Sequence, residues 1–101
     1  MNATIPSPTT RAVQRRFFDA LASIQESGGI VGLQTFCNRY GLNRTKYSRV
    51  RTSLANDTTG RYHHIDMDAL AYIVADYNVN AEWLLTGHGD MFRSCATNLH
   101  K

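Results

Sequence analysis

Apolar residues recur along this chain at intervals of three and four, with no convincing run of strand-like alternation, and that period restricts it to helices. Val13, Phe17, Leu21 and Ile24, reinforced by Ala20, predict a first amphipathic helix from about Ala12, with Thr9 or Thr10 as its N-cap and Gly28 and Gly29 as its end. Leu33, Phe36, Cys37 and Tyr40 predict a short second helix that Gly41 stops, because a left-handed backbone costs glycine little. Asn43 offers a side-chain oxygen to cap a third helix, whose inner face is Tyr47, Val50 and Leu54. Asp66 is expected to cap a fourth carrying Leu70, Ile73, Val74 and Tyr77, with Met67 in its first turn. Asn80 caps a short fifth with Trp83, Leu84 and Leu85, closed by Gly87. Five helices and no strand give an all-α fold.

With 101 residues and 43% apolar content the chain has room for one core, placed at residues 11–92. Residues 1–10, with two prolines and several hydroxyl side chains, read as a flexible arm, and 93–101 as a C-terminal tail. Cys37 and Cys95 are too few and too isolated for a disulfide framework, which points to a reducing compartment. No stretch approaches the roughly 18 consecutive apolar residues of a membrane span, and the start MNATIPSPTTR lacks the apolar centre of a signal peptide. The expected location is the cytoplasm, away from any membrane.

Net charge is only +3, but it is unevenly distributed. Between Glu26 and Asp57 there is no acid, while Arg39, Arg44, Lys46, Arg49 and Arg51 all fall there; from Asp57 to Asp90 the balance reverses, with Arg61 the single Lys or Arg among six acids. A solvated helix face would interleave the signs for local pairing, so the basic block favours a polyanionic partner. At about 100° per residue, Thr45, Arg49 and Thr52 fall opposite Tyr47, with Ser48 beside them. Two short helices around a glycine, the second capped by a polar residue and turning cations away from its core side, form a helix-turn-helix. A helix of this diameter enters the major groove of DNA, where side chains near its N-terminus reach base edges. Cys37, placed where the two helices approach, reads as a small packing residue rather than a nucleophile.

The stretch FCNRYGLNRTKYSRV resembles the phage-repressor type helix-turn-helix (lambda-repressor-like, Cro or XRE family). The resemblance lies in an apolar-small pair (Phe36, Cys37), then Gly41, the apolar turn residue Leu42, the polar cap Asn43, and Ser48 two residues before Val50. A second stretch, NVNAEWLLTGHGDMF (Asn78 to Phe92), is similar to the ending of phage-repressor DNA-binding domains, and the resemblance as a whole covers about residues 13 to 92. Ser53 and Leu54 stand where the family commonly has a helix-ending glycine, which predicts a longer recognition helix, 43–55.

The resemblance implies a five-helix lambda-repressor-like bundle that binds a double-stranded DNA operator, usually as a homodimer, to regulate or repress transcription. Carried over by position, Arg44, Thr45, Ser48 and Arg49 would read bases, and Gln34, Thr35 and Asn43 would touch backbone. Arg44 and Arg49 lead, because arginine presents two parallel donors to guanine O6 and N7. Lys46, Arg51, Arg61 and Tyr62 are expected at phosphates, where they hold register without reading sequence. The loop around residues 56–65 is a further candidate contact element.

Other features have plainer readings. Arg11, Arg15 and Arg16 are open between phosphate contacts and ordinary surface charge. His63 and His64 have no third ligand at metal spacing, and GHGD (Gly87 to Asp90) reads as a helix-ending turn, not a phosphate cradle. No Walker loop, His-Glu-x-x-His motif, nucleophile elbow or paired-cysteine motif occurs, so the chain is expected to be neither an enzyme nor the holder of a cofactor or metal. Two rival classes remain: a helix-turn-helix-derived protein-interaction module without operator binding, and a nucleic-acid binder acting by charge alone.

Overall fold

The computed structural model describes residues 7–29, 32–56 and 64–93. Five helices follow in order: α1 (Pro8–Glu26), α2 (Leu33–Tyr40), α3 (Arg44–Ala55), α4 (Met67–Tyr77) and α5 (Ala81–Thr86). The fold is all-α, and the one β feature among the described residues is an isolated antiparallel bridge between Val79 and Phe92. No helix of the described residues is long and apolar enough to cross a membrane.

The first helix begins earlier than its apolar stripe suggests. Ser7, not Thr9 or Thr10, is the N-cap, with its Oγ accepting the Thr10 amide at 3.1 Å, and Pro8 takes the first helical position. Proline suits that position because its φ is already helical and its missing N–H has no partner to lose. Helix therefore includes residues 8–10; the rest of the expected arm, 1–6, lies outside the described residues.

α1 is the spine against which α3, α4 and α5 pack. Phe17, fully buried, meets Phe18, Phe36 of α2 and Tyr47 of α3 edge-on at centroid separations of 5.1, 5.6 and 6.2 Å. Edge-to-face geometry puts the positive ring edge on the negative face, worth about 0.5–1.5 kcal/mol per pair beyond burial. Leu21, Ile24, Val50, Ile73, Val79 and Leu84 complete the core. Gln14 is the polar exception on α1's inner face: it is 4% exposed, and its Oε1 accepts the Ile65 amide at 2.7 Å.

The C-terminal stretch is closed by backbone. α4 ends at Asn78 in the left-handed region (φ 62°), a conformation asparagine tolerates better than most residues. The chain returns to pair there: Arg93 N–H donates to Asn78 O at 3.0 Å and Asn80 N–H to Met91 O at 2.8 Å. Asn80 caps α5 as expected, accepting the Glu82 amide, while its Nδ2 holds Asp90 O at 3.0 Å. Leu84 enters the core, Trp83 packs partly buried against it, and Leu85 stays exposed.

Candidate nucleic-acid interface

The candidate surface is built by α2, the turn 41–43 and α3. Gly41 has φ +69°, and its carboxyl-side neighbour Leu42 donates to Cys37 O at 2.8 Å, which satisfies an end carbonyl of α2. A Cβ at Gly41 would meet no atom within 4 Å, so the requirement for glycine comes from the backbone angle alone. Two residues on, Asn43 Oδ1 accepts the Lys46 amide at 3.1 Å and starts α3. Phe36, Cys37, Tyr47, Val50 and Leu54 are buried, so both helices are fixed against α1 by their inner faces. Burial also pushes the Cys37 thiol above its ordinary range, which suits a packing role.

The outer side of α3 presents Arg44, Thr45 and Arg49, all exposed, with Ser48 half-covered among them. Arg51 is exposed further along the helix, and Gln34, Thr35 and Asn43 are exposed at the starts of α2 and α3. The side chains of Arg44, Arg49 and Arg51 make no hydrogen bond or ion pair among the described residues. Arg61 and Tyr62, with most of the 56–65 loop, lie outside the described residues.

Lys46 differs from its neighbours. It is half-buried, and its Nζ lies 2.9 Å from Asp66 Oδ1 and 5.7 Å from the Tyr47 ring centroid. Asp66 occupies the N-cap position of α4 but gives that helix no side-chain cap bond. Its other oxygen, Oδ2, accepts the Tyr47 hydroxyl at 2.7 Å, and its amide donates back to the same hydroxyl at 3.0 Å. The Lys46 ammonium, then the Tyr47 hydroxyl, hold the Asp66 carboxyl below the usual carboxylate range. Burial, reinforced by Asp66, pushes the Tyr47 phenol well above its own.

Several contacts here were not legible from residue order. Arg16 serves α5: its Nε donates to Leu84 O at 2.8 Å and its Nη2 to Leu85 O at 3.2 Å. Arg15 reaches Leu54 O at the end of α3, at 3.5 Å. Arg39 donates to the Tyr77 hydroxyl at 2.8 Å and lies near the Tyr40 and Tyr77 rings. Tyr40 in turn stacks on Tyr72 (4.2 Å, 9°) and donates its hydroxyl to Asp76, which ties α2 to α4. The only prior signal for this cluster was chemical, a set of tyrosines near an arginine; the partners are 36 and 38 residues apart. No family model, curated protein or solved structure matches the chain.

Proposed function

We propose that the chain is a sequence-specific double-stranded DNA-binding regulator of transcription, of the phage-repressor (lambda-repressor-like, Cro/XRE) helix-turn-helix type, acting as a repressor. One observation carries the reading. Arg44, Thr45 and Arg49, with Ser48 half-covered beside them, occupy the outer side of a helix whose inner side is locked in the core, within a 30-residue stretch, 27–56, that contains no acid. Such a helix offers its N-terminal donors to base edges while cations around it neutralise phosphates.

In this reading Arg44 and Arg49 read guanines, Thr45 and Ser48 adjust to neighbouring bases, and Gln34, Thr35, Asn43 and Arg51 contact backbone. Lys46 keeps donors for a phosphate while held by Asp66. The protein works in the cytoplasm, without catalysis or cofactor, as a homodimer whose two α3 helices meet paired half-sites.

The test is retention of a random-sequence duplex DNA pool at two salt concentrations, followed by sequencing. An enriched motif supports the regulator. Salt-sensitive retention without a motif replaces it with a non-specific binder, and no retention leaves the protein-interaction module.

A further inference from the structure

α3 packs chiefly on α2 and α1, so the tilt of its first turn is set at one end by the turn 41–43. The other restraint on that turn comes from outside the α2–α3 unit. Asp66 stands 20 and 19 residues beyond Lys46 and Tyr47, and places one carboxylate oxygen on each of them. Its backbone amide adds a third contact, the second of the two to the Tyr47 hydroxyl. The residue before it, Ile65, is pinned by its amide to buried Gln14 of α1. The clamp is thus anchored to the spine of the fold, and Tyr47, with no exposed surface, is anchored to Phe17.

The carboxylate also gives up the local task its position offers. An aspartate at an N-cap ordinarily accepts an amide of the following turn. Asp66 accepts no such bond from α4. Both its oxygens serve α3 instead.

We propose that Asp66 is a positioning residue for the recognition helix: by holding Lys46 and Tyr47 it fixes the orientation in which Arg44, Thr45, Ser48 and Arg49 are presented, and it withdraws Lys46 from the freely mobile cations of the block. The proposal rests on α3 being the DNA-reading element. Misplacing a bidentate arginine by a fraction of its hydrogen-bond reach forfeits discrimination while leaving the general attraction to phosphate intact.

The experiment compares wild type, Asp66→Asn and Asp66→Ala in two measurements on the full chain. In the first, amide hydrogen exchange is followed at Tyr47, Ser48, Arg49 and Val50, with Phe17 to Leu21 of α1 as internal reference. Asp66→Ala is expected to speed exchange in α3 by about tenfold or more over the reference. Asp66→Asn, which keeps an acceptor oxygen, should restore most of the protection. Tyr47→Phe leaves the ring in the core and removes both hydrogen bonds between its hydroxyl and Asp66, and it substitutes for Asp66→Ala should that variant not fold. In the second, each variant selects from the random duplex pool. Asp66→Ala should keep overall retention but lose about fivefold or more in discrimination at the bases opposite Arg44 and Arg49.

Equal acceleration in every helix, or none, overturns the positioning role, because either means Asp66 supports only general stability or nothing. Unchanged discrimination in Asp66→Ala, with a wild-type motif present, overturns it as well. If wild type itself selects no motif, the DNA-reading assignment fails separately, and exchange alone decides whether Asp66 orders α3.

Discussion

The Arg16 guanidinium donates to the Leu84 carbonyl at 2.8 Å, joining the first helix to the last across 68 residues of chain. With Nη2 on Leu85 O it caps the negative end of α5, where Gly87 turns the chain at φ +85° and leaves room for the arginine: a Cβ there would approach Arg16 Nη1 to 3.2 Å. Arg16→Met keeps most of the stem and removes the donors. It is expected to lower stability by about 1.5–3 kcal/mol, the range for charged hydrogen bonds, read as a shift in urea midpoint, with the selected DNA motif unchanged.

Gly41 isolates a backbone effect. Its φ of +69° is unfavourable for an L side chain, yet no neighbouring atom obstructs a Cβ. Gly41→Ala should cost about 1–2 kcal/mol in denaturant unfolding, and Gly41→Asn distinctly less, since asparagine tolerates this region. Equal losses for both would mean that packing, not φ, governs the turn.

The Asp66–Tyr47 pair gives stability an acid limb and an alkaline limb. Asp66 is depressed in the fold, so the native state binds fewer protons than the unfolded one, and stability rises with pH through that range. Its contribution is complete above the unfolded value of 3.8 and is lost as pH falls through the lower folded one. Tyr47 is raised, so its contribution is complete below the phenol's ordinary 10.0 and is lost as pH climbs towards the higher folded value. Thermal melts should show the advantage of wild type over Asp66→Asn shrinking below about pH 4, and Tyr47→Phe should flatten the decline above about pH 10.

Lys46 and Arg51 lie in the same basic block but in different surroundings. Arg51 is exposed, whereas the Lys46 charge is balanced by Asp66 at 2.9 Å. Arg51→Ala should reduce the slope of log affinity against log salt by about 1, without altering base preference. Lys46→Ala should reduce it less, since a charge already paired with Asp66 neutralises less phosphate. A full-unit loss for Lys46→Ala would show that its pair with Asp66 opens on DNA.

How much of this was readable in advance depended on the range of the interaction. Gly41 and Asn43 delimited α2 and α3 because stop and cap signals act within one turn, and Tyr47, Val50 and Leu54 declared the inner face of α3 by spacing alone. The start of α1 precedes its apolar stripe for a local reason: Ser7-Pro8 sits in a stretch whose prolines and hydroxyl side chains suggest an arm, yet proline at the first helical position favours a start. Asp66 holds the expected N-cap position without the expected cap bond, because cap propensity does not register a lysine and a tyrosine some twenty residues earlier. Gln14, Arg16 and Arg39 find their partners only once the helices are packed: by residue order Arg16 stays open between phosphate contact and surface charge, Arg39 counts only as a member of the basic block, and Gln14 carries no signal.

If the exposed side of α3 reads base sequence, Arg49 carries part of that readout. Wild type and Arg49→Ala are each used to select from the same random duplex pool at one salt concentration, and the enriched sequences are compared. The expected result is a wild-type motif with a guanine preference that Arg49→Ala loses at one position per half-site, by about 1–3 kcal/mol, with the remaining positions retained. An identical motif and identical discrimination in Arg49→Ala, or no motif with either protein, would contradict it.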